Sequence, residues 1–229
     1  MKKDPTPTAS SATIHAPVPT SSSAAEAKYF TQRPDGRDIF KEMGALGYKI
    51  ARSWEEAAAL PPGKTLAVVA PGNLPPPGKR GAVLRQATLK ALETLSRNPR
   101  GFFLMVEGSN IDKAAHHGKL AEMMEEIFDF DRTAGTVLEW AARHPGTLVV
   151  ITADHNTGAF SLSGGNLEKG EITALFSSGN HDGVAVPVYA FGSGSGAFTG
   201  IYENTDIFRK IMAAMKGEEN KAVPVKKDS

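Results

Sequence analysis

Four short apolar runs, separated by segments of helical period, most constrain what this chain can fold into. They are TLAVVA (65–70), FFLMVE (102–107), TLVVITA (147–153) and VPVYAFG (186–192). Each is apolar on both faces and rich in β-branched or aromatic residues. Runs of that length and type read as strands buried on both sides, which requires helices over both faces of a sheet. The segments between them supply those helices. Residues 82–97 place Leu84, Thr88, Ala91 and Leu95 on one stripe. Residues 118–143 place Leu120, Met123, Met124, Ile127, Ala134, Val137, Leu138 and Ala141 on another. Residues 205–216 carry Ile207, Phe208, Ile211, Met212 and Met215, with Gly217 as a stop. The alternation predicts an α/β fold with a mainly parallel central sheet flanked by helices. Ligands in such sheets collect just beyond the carboxyl ends of the strands.

The ends of the chain differ in kind. Residues 1–26 are dominated by Ser, Thr, Ala and Pro and cannot bury enough apolar surface to offset their ordering entropy. They are expected to be a disordered segment, with one partial α/β domain over 27–217 and a flexible tail over 218–229. Met1-Lys2-Lys3 resembles the start of a signal peptide, but no apolar stretch follows it, so no secretory signal is read here. No apolar run approaches a membrane span. A formal net charge of +1 excludes a strongly basic nucleic-acid binder at the level of composition.

Three clusters follow or precede the predicted strands. Glu107-Gly108-Ser109-Asn110-Ile111-Asp112-Lys113-Ala114-Ala115-His116 directly follows FFLMV. Asp112 and His116 are four apart, so one helical turn puts them on the same side. Asp154-His155 ends TLVVITA, and His181-Asp182-Gly183 precedes VPVYA. Taken singly, Asp112 and His116 read as an exposed pair at a helix start, Asp154 as an N-cap, and a lone histidine as structural. Taken together they hold three of the chain's six histidines, with a fourth, His117, directly after the first cluster. With no cysteine in the chain, carboxylate plus imidazole is the ligand set left for a metal such as zinc.

EGSNIDKAAH, TADHNTG and HDGVAVPVYAFG, with the stretch GKLAEMMEEIFDFDRTAGTVLEWAARHPGTLVVITADH, resemble the metal-binding motifs of alkaline phosphatases in content and order. The resemblance runs from about Phe30 to Gly217. It implies that Asp112, His116 and His181 hold a first zinc, that Asp154 and His155 hold a second, and that Glu107 is a ligand of magnesium. Lys113 matches a position that in some bacterial members is a lysine near the phosphate. His117 stands where the family usually has a small or polar residue. The implied activity is hydrolysis of phosphate monoesters through a phosphoserine. The implied partners are the ester substrate and either a second copy of the chain or a complementing N-terminal half. The implied location is periplasmic or extracellular.

The family's Asp-Ser-Ala-x-Thr-Ala motif is absent from the 229 residues, and so is its early Gly-Asp-Gly strand end. Ser21, Ser22 and Ser23 lack the preceding aspartate and the strand-to-helix context of a nucleophile. The chain therefore looks like the C-terminal part of such a catalytic domain, inactive by itself. The alternative is a zinc-binding remnant or pseudoenzyme without catalysis. GSGSG at 192–196 lacks the ending of a phosphate-binding loop and reads as a turn. The acidic run from Glu125 to Asp131 reads as a solvated helix face with a buried stripe.

Overall fold

The computed structural model describes residues 28–70, 72 and 74–217. The segment 1–26 and the tail 218–229 lie outside the described residues. In chain order the elements are α1 (Lys28–Thr31), α2 (Ile39–Ala45), β1 (Lys49–Ala51), α3 (Trp54–Ala59), β2 (Thr65–Ala67), α4 (Pro77–Arg80), α5 (Val83–Leu95), α6 (Asn110–His116) and α7 (Leu120–Ala142). There follow β3 (Leu148–Thr152), β4 (Asn156–Thr157), β5 (Phe160–Asn166), β6 (Glu171–Phe176), β7 (His181–Asp182), β8 (Val188–Gly192), a short 3₁₀ turn (Ser195–Phe198) and α8 (Asn204–Lys216). The chain divides into two compact units. Among the described residues the first comprises those up to 113 and 121–133, and the second comprises 114–120 and 134–217. The helices α6 and α7 each run unbroken through a point of division.

In the first unit, β1 and β2 pair in parallel, with Ile50 opposite Leu66. Phe40, Leu66 and Val68 form one buried cluster against Phe30, Met43, Tyr48 and Ile50. Ala51, Ala57 and Ala67 form a second, against Trp54, Leu60 and Val69. The second cluster is built on alanines, which lets α3 approach the strands closely. Ser53 caps α3 by accepting from the Glu56 N–H at 3.1 Å, satisfying a donor that the helix start leaves free. On α5 the buried residues are Leu84, Ala87, Thr88, Ala91, Leu92 and Leu95, a stripe of helical period that includes all four positions expected from the sequence.

In the second unit, β3 and β8 pair antiparallel over five residues, from Leu148 opposite Gly192 to Thr152 opposite Val188. β5 and β6 form an antiparallel hairpin with a register shift between Leu162 and Gly164. β4 and β7 pair antiparallel over two residues each. α8 ends at Gly217 in the left-handed conformation, as the glycine stop predicts.

The class is α/β, as expected. The described ladders differ from a mainly parallel sheet: β1–β2 is parallel and the other three are antiparallel. FFLMVE (102–107) is extended in pattern but is assigned to no strand. Its residues alternate between half-buried and exposed, with Phe103 50% and Met105 74% exposed. An apolar run becomes a ladder only where a neighbouring strand supplies hydrogen-bond partners, and composition alone does not provide one. No described helix is long and apolar enough to cross a membrane.

Candidate metal centre

Local structure brings three histidines of the second unit together. The β4–β7 ladder sets Asn156 opposite Asp182 and Thr157 opposite His181. His155 immediately precedes β4, so the pairing carries its ring onto His181. The two rings stack with centroids 3.6 Å apart. The ladder is held by Asp182, whose carboxylate accepts from Asn156 Nδ2 at 2.9 and 3.1 Å, the Ala159 N–H at 3.0 Å and the Val184 N–H at 3.1 Å. The Asn156 amide, joined by these backbone donors, holds the Asp182 carboxyl below its usual pKa. Asp182, though part of the third cluster in the sequence, therefore spends its oxygens on the loop.

The loop also receives α6. Gly158 has φ +78°, and a Cβ there would meet Phe176 Cδ1 at 2.9 Å and the Ala115 carbonyl oxygen at 3.0 Å. Glycine thus permits both the left-handed backbone and the close approach of the helix end. The end of α6 presents His116. Its Nδ1 lies 2.7 Å from the Gly179 carbonyl oxygen, and its Nε2 lies 3.0 Å from His181 Nε2. A carbonyl only accepts, so Nδ1 must carry the proton. In the neutral ring, Nε2 then presents its lone pair toward His181. A carbonyl on the far nitrogen is the usual way of orienting a metal-binding imidazole.

Asp112 lies one turn before His116 on the same continuous helix. A ring nitrogen of His155 and one of His181 lie within 4.8 Å of each other. Asp154 turns a carboxylate oxygen to Nε2 of its own neighbour His155 at 3.2 Å, and its side chain is 86% exposed. His155 Nδ1 lies 3.2 Å from Thr157 Oγ1. Lys113 follows Asp112 on α6 and is half-buried, whereas His117 is exposed just beyond the helix.

Glu107 is exposed and lines a small cavity of the first unit with Leu74, Arg80, Ser109, Asn110 and Glu126. The segment after it lies flat on α7, because a Cβ at Gly108 would meet Phe130 Cδ2 at 2.9 Å. This region also departs from the expected solvated face. Glu125 and Asp131 are exposed, but Glu126 and Asp129 are buried, with side chains 7% and 8% exposed. They bind Arg80, itself 5% exposed. Arg80 Nη1 donates to Glu126 Oε1 at 2.8 Å, and Nη2 donates to Glu126 Oε2 at 2.6 Å and Asp129 Oδ2 at 2.7 Å. Burial pulls the Arg80 pKa down, but the hydrogen bonds and charges of both carboxylates raise it above its ordinary value. These acids lie 46 and 49 residues from their partner, a pairing that no local pattern announces.

Comparison with known proteins decides what this arrangement belongs to. The sequence profile described as alkaline phosphatase matches residues 15–175. The chain belongs to the alkaline phosphatase family. It is 31% identical to the streptomycin-6-phosphate phosphatase of Streptomyces griseus, an alignment covering 79% of this chain and 51% of that protein. It is 36% identical to alkaline phosphatase 4 of Bacillus subtilis over 62% of this chain and 31% of that one. The alkaline phosphatase from the Antarctic bacterium TAB5 superposes with a TM-score of 0.74 at 34% identity, over 86% of this chain and 59% of that chain. The chain thus spans about half the length of the first of these curated relatives and less of the second. A mutant of the TAB5 enzyme with magnesium bound in its M3 site gives the same TM-score at 36% identity.

Proposed function

We propose that this chain carries the metal-binding portion of an alkaline-phosphatase-type phosphate monoester hydrolase. The observation that carries the reading is the convergence of His116 Nε2 and His181 Nε2 at 3.0 Å, with the His116 proton held on Nδ1 by the Gly179 carbonyl. Tetrahedral zinc with bonds of about 2.0–2.1 Å separates its ligand atoms by about 3.3 Å. The two nitrogens therefore stand near the spacing of a shared ion. By the family likeness Asp112, one turn earlier on α6, joins His116 and His181 as the proposed ligands of a first zinc. Asp154 Oδ2 and His155 Nε2, 3.2 Å apart, meet the same spacing and suit a second. Magnesium prefers six oxygen ligands, and Glu107 offers one carboxylate toward that set.

A zinc pair supplies Lewis-acid stabilisation of the attacking and leaving oxygens of an in-line phosphoryl transfer. The chain's own residues supply the rest. His116 and His181 aim their ring nitrogens at one point, while Asp112 and Asp154 add carboxylates that favour a cation. Lys113, on the helix with Asp112, offers positive charge to the non-bridging phosphate oxygens. The substrate class is a phosphate monoester. A second copy or a complementing N-terminal half as partner, and a periplasmic or extracellular location, come from the family likeness.

A second reading, metal binding without turnover by this chain alone, is favoured by the absence of the Asp-Ser-Ala-type motif from its 229 residues. Equilibrium dialysis with zinc and an assay with a chromogenic phosphate ester separate the two. About one tightly bound zinc per chain, lost in Asp112→Ala and His181→Ala, is expected under both readings. Turnover that appears when a complementing N-terminal half is added supports the first, and zinc binding with no turnover even then supports the second. Zinc binding unaffected by either substitution would reject the metal centre itself.

A further inference from the structure

The buried acids of α7 point to a role beyond balancing Arg80. Two carboxylates face one guanidinium, so the knot carries an excess of negative charge in a site closed to water. The Asn110 side-chain amide meets that excess: Nδ2 donates to Glu126 Oε1 at 3.2 Å and makes a longer 3.5 Å contact with the Leu74 carbonyl. Asn110 is the first residue of α6, the helix of Asp112 and His116. Asparagine at a helix start usually turns its side chain to the local backbone. Here it reaches 16 residues along the chain to a buried carboxylate that Arg80 holds from the other side through two hydrogen bonds.

We infer that Asn110 and the Arg80-held Glu126 are positioning residues that fix the rotation of α6 about its own axis, and with it the aim of the metal-binding side chains. The inference rests on the metal-centre reading. Its force comes from leverage. A side-chain tip stands about 5–6 Å from a helix axis, so a 20° rotation moves it by about 2 Å. Metal–ligand distances tolerate about 0.2 Å. The last turn of the seven-residue helix is held by buried Ala114 and Ala115 and by the His116–Gly179 contact, and the hydrogen bond to a fixed carboxylate at its first residue holds the other end.

The test uses the whole chain. Zinc affinity is measured by competition with a chromogenic chelator, coordination by the d–d absorption of bound Co²⁺, and stability of the metal-free chain by urea unfolding. Asn110→Ala is expected to weaken zinc binding ten- to a hundred-fold, the usual loss when an orienting group is removed. It is also expected to dim the Co²⁺ band, while the urea midpoint of the metal-free chain falls only modestly because Glu126 keeps both hydrogen bonds from Arg80. Wild-type zinc affinity in Asn110→Ala, with affinity lost in Asp112→Ala, would overturn the positioning role. Affinity unchanged in Asp112→Ala would instead overturn the metal-centre reading. An Asn110→Ala chain whose metal-free midpoint falls while its Co²⁺ band keeps the wild-type shape and intensity would reduce the residue to a structural contact.

Discussion

The Arg80–Glu126–Asp129 knot and the His116–His155–His181 cluster are both dense in ionisable groups, yet they spend their lone pairs differently. In the knot, both Glu126 oxygens and one oxygen of Asp129 accept from a guanidinium, and every member is buried. In the cluster the rings are half-buried or exposed, and two imidazole nitrogens face each other across 3.0 Å. A nitrogen lone pair opposite another ring nitrogen invites either a shared proton or a cation. Charge that is closed and complementary locks a fold, whereas donor atoms that converge at a surface are ready for a ligand. The difference lies in geometry, since both regions draw on the same kinds of side chain.

Four experiments break or sharpen that contrast, the largest effect first. Arg80→Ala leaves two buried carboxylates without their partner and is expected to cost about 3–5 kcal/mol in urea unfolding. A loss no larger than that of a surface pair would erase the distinction. For the cluster, zinc at a hundred times its dissociation constant is expected to stabilise the chain by about 2.7 kcal/mol, removable by a chelator. The same addition to His181→Ala should leave the thermal midpoint where it was. Gly158→Ala forces a side chain into the left-handed region, at about 1–2 kcal/mol. Because the added carbon meets the Ala115 carbonyl, zinc titration should also show weaker binding. The exposed Arg97–Glu93 pair on α5 is the control, and Arg97→Ala should change stability by about 0.5 kcal/mol or less in the same urea assay.

Much of this architecture is legible in the sequence wherever the signal is local. Helical period locates α5, α7 and α8 to within a few residues, and Gly217 marks the last stop. The motif clusters foreshadow His116, His155 and His181, which the fold brings together, with Asp112 one turn away on α6. Non-local partners were not legible. FFLMVE has strand composition, but composition does not name a neighbouring strand. Glu126 and Asp129 look like any acidic helix face until Arg80, far back in the chain, comes to meet them. Asp182 shares a cluster with His181, yet its role is set by the amides of Asn156, Ala159 and Val184. The spacing of Glu126 and Asp129, three apart and near the apolar Met123 on α7, bears on their burial alone and names no partner.

The ladder joining His155 to His181 is only two residues long on each strand. So short a ladder opens locally at far less free energy than global unfolding requires. Its flanking amides, Gly158 bonded to the Asn180 carbonyl and Ser178 bonded to the Gly158 carbonyl, should therefore exchange their hydrogens with solvent well before those of β3 and β8. An ion shared by His116 and His181 would close that opening. Deuterium uptake at those two amides would then register metal occupancy residue by residue, without any substrate and without any turnover.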